Sequence, residues 1–531
     1  MNRREILKLS AASALSALSP AIASATLTDS PAVPKFDIFE LLLQGPTEGN
    51  PYLDTQLSAT FTLDHRSITI HGFYDGNGSY KLRFMPDTEG HWRFTTSSNA
   101  TSLANHSGSF LCTPANSRGP VSVRNRHHFA YADGTPYFPF GTTCYAWIHQ
   151  GEVLEQQTLD ALRAAPFNKI RMCVFPKSYE YNHNEPLFYP FPRPAGTPLS
   201  QPGDTTRFNP DFFAHLERRL ADLRDLNIQA DLILFHPYDR WGYATMPPEA
   251  DEHYVRYLVA RLAAFRHVWW SLANEYDLMK AKTTQDFTRL LHLVQQIDPY
   301  QHLRSIHYSA TLYDYASPAV THASLQTSNF TAAPAWLRDW NKPILFDEIM
   351  YEGDLPQRWG NLSGQEMTRR FWMAIISGCY ATHGETYLNH AGSNEEDDKI
   401  WWSNGGKLSG TSPARIAFLR KLLEDTTIHG LEAPDSPYYL HANSPLLTKA
   451  NPGATTAVDS KAPPQAILYF FDFHQPIRYD FPLGEATYTA ELIDPWDMTI
   501  APIPGQHVGK ATLTLPAKPF QALRFTQSPK P

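Results

Sequence analysis

The chain has 531 residues, of which 42% are hydrophobic and 13% aromatic, so it can bury several cores and predicts a globular protein of roughly two to four domains. Its net charge of -8 comes from 53 acidic and 45 basic residues, with no long run of either sign. Nucleic acids and anionic membrane surfaces are therefore poor candidates as partners.

The first residues are typical of an export signal. Residues 2–8 (NRREILK) resemble the twin-arginine signal, and a weakly apolar stretch leads to an A-x-A site at residues 23–25. Asn2 and Ile6 depart from the usual residues of that signal, so the ordinary secretory route stays open. No later stretch has about 18 consecutive apolar residues, so no membrane span is predicted. We expect residues 1–25 to be a signal peptide and the mature protein to be soluble, either periplasmic or extracellular.

The four cysteines are widely and irregularly spaced, which argues against a zinc site. A disulfide framework is not needed in a chain of this size. We expect buried thiols with at most one bridge, at Cys112, Cys144, Cys173 and Cys379.

Residues 36–117 predict an N-terminal β-sandwich. The segments LSATFTL, SITIHGFYDG, SYKLRFMP and HWRFTTSS alternate with a period of two and are separated by Asp-Gly, Asn-Gly and Glu-Gly turns. The stretch FYDGNGSYKLRFMPDTEGHWRF also resembles the β-sandwich at the N-terminus of a group of bacterial glycoside hydrolases. We expect this domain to be a packing module without a ligand of its own.

Residues 126–428 predict a (β/α)8 TIM barrel. Eight short apolar runs alternate with helical patterns, as in parallel β/α units: PYFPFGTT, NKIRMCVF, QADLILF, HVWWSLA, LRSIHYS, THASLQT, KPILFDE and GCYATHGETYL. Helix starts are indicated by Asn209-Pro210, by Ser363 with Glu366, and by Ser412-Pro413. The link ATLYDYASPAV between the fifth and sixth strands is too short and irregular for a full helix.

Residues 436–528 predict a second, C-terminal β-sandwich. The segments QAILYFFDF, ATYTAELIDPWDMTI, KATLTLP and FQALRF have strand composition. This domain either buttresses the barrel or binds carbohydrate. We favour buttressing, because no array of exposed aromatic residues is apparent.

Two glutamates end strands that lie across the barrel mouth from each other. Glu275 ends the fourth strand and Glu348 ends the seventh, and the loops after the strands form the active face of such a barrel. Glycoside hydrolysis needs one carboxylic acid to protonate the leaving oxygen and one carboxylate to attack the anomeric carbon, about 5–5.5 Å apart when configuration is retained. Asn274, beside Glu275, would hydrogen-bond the 2-hydroxyl of the sugar.

The Asn-Glu pair that ends strand four and the Glu that ends strand seven together resemble clan A of the glycoside hydrolases. The resemblance covers the barrel, about three fifths of the chain. It implies a retaining O-glycosyl hydrolase that acts on a poly- or oligosaccharide by double displacement, with Glu275 as acid/base and Glu348 as nucleophile. Within the clan, the chain is most similar to endoglucanase-like members. This narrower resemblance rests on the flanking sandwich and on the stretches FNKIRMCVFPK, LILFHPYDRWG, VWWSLANEYD and THGETY.

Further polar side chains follow the same strands. Arg171, on strand two, would hold Glu348 ionised through a charge-assisted hydrogen bond, or would form an interior salt bridge without catalytic effect. A Tyr or His beside the nucleophile is expected after strand five, where His307 and Tyr308 lie. The residues after strand three either contact the sugar or form a structural loop network: His236, Tyr238, Asp239 and Arg240.

Glu385, at the end of strand eight, either binds substrate hydroxyls or pairs with an Arg or His. Asp347 is expected to be structural, because neighbouring residues of a strand point to opposite faces. Four tryptophans in loops of the active face would stack on sugar or pack within their loops, with the adjacent pair favoured as the sugar platform: Trp147, Trp241, Trp401 and Trp402.

No competing catalytic motif is present. The sequence lacks H-E-x-x-H, G-x-S-x-G, a P-loop, and G-x-G-x-x-G between a strand and a helix. Its 22 histidines are scattered without carboxylates at ligand spacing, so no metal and no cofactor are predicted. A non-catalytic carbohydrate-binding protein and a transglycosylase remain as alternatives. The sugar, the linkage, the mode of cleavage and the oligomeric state stay open.

Overall fold

The computed structural model describes residues 31–388, 399–426, 428–433, 441–444 and 462–528. The predicted signal peptide lies outside the described residues. None of the helices in these ranges combines the length and the apolar composition that crossing a membrane requires.

The N-terminal domain is a β-sandwich, as predicted. One sheet has the order β1-β8-β7-β3-β4 and the other β2-β6-β5, and Phe39, Phe61, Phe84 and Phe110 pack between them. The strands are β1 (Ala32–Pro34), β2 (Phe39–Gln44), β3 (Leu57–Leu63), β4 (Arg66–His71), β5 (Phe73–Tyr74), β6 (Ser79–Phe84), β7 (Gly90–Ser98) and β8 (Ser107–Thr113), with the short helix α1 (Pro51–Asp54) after β2.

A small antiparallel sheet leads into the barrel, and its strands are β9 (Val121–Arg124), β10 (His128–Tyr131) and β11 (Pro136–Tyr137). The strands that follow are β12 (Phe140–Thr143), β13 (Lys169–Cys173), β14 (Gln229–Phe235), β15 (Val268–Ala273), β16 (Arg304–Ser305), β17 (Ala323–Gln326), β18 (Ile344–Glu348), β19 (Glu352–Gly353), β20 (Tyr380–His383) and β21 (Glu385–Thr386). The two-residue strands β19 and β21 pair with each other, separately from the barrel sheet.

The other eight strands form one parallel sheet in the order β16-β15-β14-β13-β12-β20-β18-β17. A bridge between His307 and Ser324 joins the two ends of this sheet and closes it into a barrel. Each of the eight predicted runs supplies one of these strands, so the predicted TIM barrel is confirmed.

The helices are α2 (Glu152–Ala164), α3 (Pro210–Asp225), α4 (Pro248–Leu262), α5 (Thr284–Ile297), α6 (Ala333–Trp340), α7 (Gly364–Ile376), α8 (Trp401–Asn404) and α9 (Ser412–Glu424). The side chain of Asn209 caps α3 by accepting from the backbone N–H of Asp211 at 3.1 Å, and Ser363 caps α7 in the same way. Residues 306–322, all of them described, contain no helix, so the degenerate fifth unit is also confirmed.

The C-terminal domain is β-rich, as predicted. The described strands β22 (His441–Ser444), β23 (Ala466–Phe470), β24 (Arg478–Asp494), β25 (Thr499–Thr514) and β26 (Ala522–Gln527) form one antiparallel sheet. The pairing of β24 with β25 shifts register between Pro482 and Tyr488, which bends the hairpin. Phe481 then packs on Tyr469 and Phe525, with ring centroids 4.9 and 5.3 Å away, so the folded sheet encloses its own core.

This sheet packs on helix α7 of the barrel. Phe470 stacks on the fully buried Trp372 at 5.4 Å between ring centroids. Beside them, Asp472 accepts two hydrogen bonds from Arg369, at 2.5 and 2.9 Å. The C-terminal domain therefore packs against the barrel, as the predicted buttressing role requires.

All four cysteines are buried and unpaired, as expected. Burial raises the pKa of each thiol, that of Cys112 to about 11 and that of Cys173 to about 12. They are therefore protonated near neutral pH and are poor nucleophiles.

We predict that Trp372→Ala lowers the free energy of unfolding by about 3–5 kcal/mol, because it removes a buried aromatic side chain from the contact between barrel and C-terminal sheet. Urea unfolding followed by tryptophan fluorescence measures the loss. Val153→Ala, at a side chain that is 77% exposed, is the control and should change stability by less than about 0.5 kcal/mol. Equal losses of stability in Trp372→Ala and Val153→Ala would show that the contact between the barrel and the C-terminal sheet does not stabilise the fold.

Candidate active site

Two backbone irregularities turn the glutamates toward the barrel mouth. Neighbouring residues of a regular strand point to opposite faces, so Asn274 and Glu275 could not both face the mouth on a continued strand. Glu275 instead adopts a left-handed conformation, with φ 47° and ψ 53°, which costs about 1 kcal/mol or more for a residue with a side chain. On the other side, the pairing of β17 with β18 skips Asp347, so that Gln326 lies opposite Glu348.

Six polar side chains form a closed circuit of contacts at the mouth, here called the carboxylate ring: Glu275, Gln326, His307, Glu348, Arg171 and Asn274. On one side, Nε2 of Gln326 donates to Oε1 of Glu275 at 3.2 Å, and Oε1 of Gln326 lies 3.1 Å from Nε2 of His307. The same His307 nitrogen lies 3.4 Å from Oε1 of Glu348.

The other half of the carboxylate ring runs through an amide and a guanidinium. Nδ2 of Asn274 donates to Oε2 of Glu275 at 3.2 Å, and Oδ1 of Asn274 accepts from Arg171 at 3.0 Å. Arg171 lies 3.7 Å from Oε1 of Glu348. Each glutamate is therefore connected to the other by two paths of two side chains each. Arg171 and the imidazole of His307 lie next to Glu348, whereas the amides of Asn274 and Gln326 lie next to Glu275.

Each glutamate also accepts a hydrogen bond from its own tyrosine. The hydroxyl of Tyr238 donates to Glu275, and that of Tyr145 donates to Glu348. Burial and the nearby carboxylate raise the pKa of both tyrosines well above its usual range. Both phenols therefore remain donors near neutral pH.

The two carboxyl groups have opposite protonation tendencies. Burial, followed by the charge of Glu348, raises the pKa of Glu275. Burial also acts to raise the pKa of Glu348, but His307, Arg171 and the hydroxyl of Tyr145 outweigh it and hold that pKa below its usual range. Near neutral pH Glu348 is the ionised partner, and Glu275 is the one that holds a proton more readily.

A layer of buried charge supports the ring from inside the barrel. Asp347 accepts from Lys169 at 2.8 Å, and from the hydroxyls of Ser324 and Thr382 at 2.6 Å each. Because Ser324 gives its proton to Asp347, it accepts from Nδ1 of His307, 3.1 Å away, and fixes the orientation of that imidazole. Asp347 takes a structural position, but the expectation that it faces away from Glu348 is wrong: the irregular pairing of β18 leaves Asp347 inside the barrel, near the same Arg171 that contacts Glu348.

A buried lysine that was not predicted lies between the two tyrosines. Nζ of Lys177 is 4.1 Å from the ring centroid of Tyr145, 4.2 Å from that of Trp402 and 4.6 Å from that of Tyr238. Lys177 is 2% exposed, and none of the described residues accepts a hydrogen bond from its ammonium group. Burial lowers its pKa. The sequence signal that could have identified Lys177 is its position just after β13, because the segments that follow the barrel strands form the active face.

The predicted tryptophans separate into two groups. Trp402 belongs to the aromatic cluster around Tyr145, at the mouth. Trp401 donates to Thr142 at 2.8 Å, and it lies with Trp147 and Trp241 in the main hydrophobic core, where none of the three is more than 2% exposed. The structure therefore corrects the expectation of sugar stacking for Trp241 and Trp401, because their ring faces are covered by the core.

The residues after strands three and five contribute unequally. His307 joins the carboxylate ring, and its neighbour Tyr308 lies outside it, 6.3 Å away between ring centroids. His236 contacts the backbone oxygen of Phe175 at 3.1 Å, and burial lowers its pKa to about 3, so the imidazole is neutral. Asp239 accepts from backbone N–H groups of its own loop, which is the structural alternative stated for it.

Glu385 is not part of the carboxylate ring. It is buried in β21, opposite Glu352 of β19, and it accepts a hydrogen bond from the backbone N–H of Ser409. Its expected contact with substrate hydroxyls is therefore not supported, because the side chain is turned toward the loop before α9 instead of the mouth.

A cavity of about 540 Å³ lies elsewhere, between the N-terminal sandwich and α4, and is lined by His71, Arg256 and Tyr257 among others. No member of the carboxylate ring lines it. Glu275 is only 6% exposed, so the described part of the mouth is narrow. The two glutamates thus indicate the mouth of the barrel, and not the cavity at the domain junction, as the candidate site.

Residues 123–429, more than half of the chain, match the family model described as "Apiosidase-like, catalytic domain". The chain belongs to the apiosidase-like family. Residues 32–99 and 458–526 match two models that are described only as domains of unknown function, DUF5060 and DUF5605. No protein with a curated description matches the chain.

Among solved structures, a candidate glycoside hydrolase of Bacteroides vulgatus is 37% identical, with a TM-score of 0.85, and the match covers 94% of this chain and 100% of that one. A family 5 glycoside hydrolase of the same organism is 13% identical, with a TM-score of 0.54 over 78% of this chain and 94% of that one, which shows a shared fold alone. The resemblance to barrel glycoside hydrolases, inferred from the sequence, is confirmed.

We predict that Glu275→Gln and Glu348→Gln change stability in opposite directions near pH 7. The folded-state pKa of Glu348 is lowered, so its charge stabilises the fold above the unfolded pKa of about 4.3, and this contribution is lost as pH falls through the folded pKa. The pKa of Glu275 is raised, so its ionisation destabilises the fold increasingly as pH rises above about 4.3.

Urea unfolding of both variants at several pH values between about 3 and 7 measures these effects, and each unit of pKa shift corresponds to about 1.4 kcal/mol. Glu275→Gln should gain stability over the parent as pH rises. Glu348→Gln should lose stability, with a deficit that shrinks in acid. Changes of the same sign in both variants would contradict the opposite protonation tendencies.

Proposed function

We propose that this protein is a retaining O-glycosidase, with Glu348 as the nucleophile and Glu275 as the acid/base. The observation that carries this proposal is the carboxylate ring, which gives two buried glutamates opposite protonation tendencies. One ionised and one protonated carboxyl group are what double displacement requires at its start. Membership of the apiosidase-like family supports glycosidase chemistry.

In the first step, a carboxylate oxygen of Glu348 attacks the anomeric carbon and the bond from that carbon to the leaving oxygen breaks. Glu275 gives its proton to the leaving oxygen. The carboxylate so formed is already surrounded by donors, because Tyr238, Asn274 and Gln326 each hydrogen-bond it. These donors stabilise the charge that Glu275 gains as the bond breaks.

In the second step, water attacks the anomeric carbon and the bond to Glu348 breaks. Formation of the glycosyl-enzyme has neutralised Glu348, whose charge was the second largest cause of the raised pKa of Glu275. The pKa of Glu275 therefore falls between the two steps, and the group becomes the base that accepts the proton of the water. Arg171 and His307 then stabilise the Glu348 carboxylate as it leaves.

Sugar binding is proposed for the side chains that surround the glutamates. Lys177 has three N–H donors without an acceptor among the described residues, so sugar oxygens are its natural partners. The ring of Trp402 lies beside it and would pack against C–H groups of the sugar. Asn274 would share its amide between Glu275 and the 2-hydroxyl.

The substrate that we propose to test first is an apioside, because the family model is named for apiosidases. We also propose that the protein is exported and meets its carbohydrate in the periplasm or outside the cell. The export proposal rests on the twin-arginine pattern in residues 2–8 and the A-x-A site that follows. Finding only uncleaved chain in the cytoplasm of the native bacterium would refute it.

We predict that the purified protein releases sugar from an aryl apioside, or from another member of a panel of aryl glycosides and polysaccharides, with retention at the anomeric carbon. Glu275→Gln should lower kcat by about 10²–10⁴-fold on substrates with poor leaving groups, because it removes the acid. Glu348→Ala should abolish hydrolysis, and azide should restore turnover by attacking in place of the missing carboxylate. NMR of the first product measures the configuration.

Gln156→Ala, on the exposed side of α2, is the control and should leave kcat unchanged. A wild type that binds glycans but releases no sugar would replace the proposal with a carbohydrate-binding role. Transfer to sugar acceptors in preference to water would make the protein a transglycosylase. An inverted first product would exclude the covalent step.

We predict that Lys177→Met raises KM about tenfold, because it removes donors to the sugar while keeping the length and apolar stem of the side chain. The basic limb of the kcat/KM profile should also move to higher pH, since the charge of Lys177 acts to lower the pKa of Glu275. Lys421→Met, at an exposed position in α9, is the matched control. If neither KM nor the basic limb of the kcat/KM profile changes, the role of Lys177 is purely structural.

A further inference from the structure

A second group of buried polar side chains lies behind the barrel mouth, at the end of β20 and in the segments that follow β18 and β20. Glu352, His383 and Glu385 each bring one ligand-type atom within 4.8 Å of the others. All three side chains are buried, with at most 1% of their surface exposed. None of them belongs to the carboxylate ring, so the proposed glycosidase chemistry leaves this group unexplained.

Two atoms of this group lack a hydrogen-bond partner. Nε2 of His383 and Oε2 of Glu385 are both unpaired in the described part of the chain, and they lie 3.9 Å apart. A buried polar atom left without a partner costs about 1–3 kcal/mol. The other imidazole nitrogen of His383 contacts the hydroxyl of Thr142 at 3.3 Å, which orients Nε2 toward Glu385.

Gly410 lies against the two carboxylates. A Cβ atom at this glycine would lie 2.6 Å from Oε2 of Glu385 and 2.7 Å from Oε2 of Glu352. The backbone conformation does not require glycine there, since its φ lies outside the left-handed range. The missing side chain therefore lets both carboxylate oxygens approach the backbone of Gly410, and any larger residue would displace them.

The two carboxyl groups of this site are held by backbone donors and not by cationic side chains. Backbone N–H groups of Thr411 and Ser412 donate to Glu352, at 2.7 and 3.1 Å, and that of Ser409 donates to Glu385. Among the described residues, no lysine or arginine forms a salt bridge with either carboxylate. Two buried carboxyl groups side by side, neither paired with a lysine or arginine, form the kind of site that a bound cation would stabilise.

We propose that Glu352, His383 and Glu385 bind a divalent transition-metal ion, with Zn²⁺ as the best match. The ligand atoms are Nε2 of His383 and the Oε2 atoms of the two glutamates, and an imidazole with two carboxylates suits zinc better than it suits calcium, which takes six to eight oxygens. The ion ties the loop after β18 to the loop after β20 and to the start of α9.

The full chain, free of any histidine tag and dialysed against EDTA, is titrated calorimetrically with ZnCl₂ and separately with CaCl₂. We expect one zinc ion per chain, a higher melting temperature with zinc, and weaker binding of calcium. His383→Gln and Glu385→Gln should each weaken zinc binding by at least about tenfold. Gly410→Ala should do the same by displacing both carboxylate oxygens.

The chain offers a matched control in Glu152, Glu155 and His215, which also lie within 4.8 Å of one another. There Arg219 already pairs with both glutamates, so His215→Gln should leave zinc binding unchanged. Without zinc, Glu385→Gln should fold at least as stably as the parent, because it removes a buried charge. The proposal would be overturned if the wild type does not bind zinc or prefers calcium. It would also be overturned if His383→Gln, Glu385→Gln and Gly410→Ala bind zinc as tightly as the wild type, whatever the glycosidase assay gives.

Discussion

The barrel mouth is built around one electrostatic constraint, which is that two carboxyl groups with opposite protonation tendencies share a nearly closed space. Like charges repel strongly where water is excluded. The carboxylate ring resolves this by asymmetry: cationic Arg171 and the imidazole of His307 adjoin Glu348, whereas neutral amides adjoin Glu275. The ring therefore fixes positions and protonation together, and a change in any member alters both.

The asymmetry depends on charges deeper in the barrel. Lys169 and Arg171 on β13 lie among Asp231 and Asp347, so two cations and two anions balance inside the barrel. Removing one charged partner from a buried group of this kind lowers the free energy of unfolding by about 3–5 kcal/mol, because the opposite charge is left unpaired. The complete group contributes much less than that to stability. Arg171 belongs to both layers, so the charge of Glu348 is coupled to the packing of the whole barrel, which the C-terminal sheet supports from α7.

Local patterns made the eight strands, the capped helices and the two glutamates predictable, because apolar runs, caps and strand ends are all written in short stretches of sequence. Gln326 and Tyr145 were not predicted, since they reach the glutamates only through the skipped Asp347 in the β17–β18 pairing and through closure of the barrel. The burial of Glu385 and Trp401 depends on which loops cover them. Contacts of that kind join distant segments, and a single sequence does not show them.

The group formed by Glu352, His383 and Glu385 lies one side chain away from the mouth. Gly384, between two of its members, has no side chain, and a Cβ there would lie 2.2 Å from the ring of Tyr351. Tyr351 in turn packs against Trp402 at 5.6 Å between centroids, beside Lys177. Tyr351 therefore separates this buried group from Trp402 and Lys177 at the mouth. The lack of a side chain at Gly384 is what lets the ring of Tyr351 pack so closely on the backbone between His383 and Glu385.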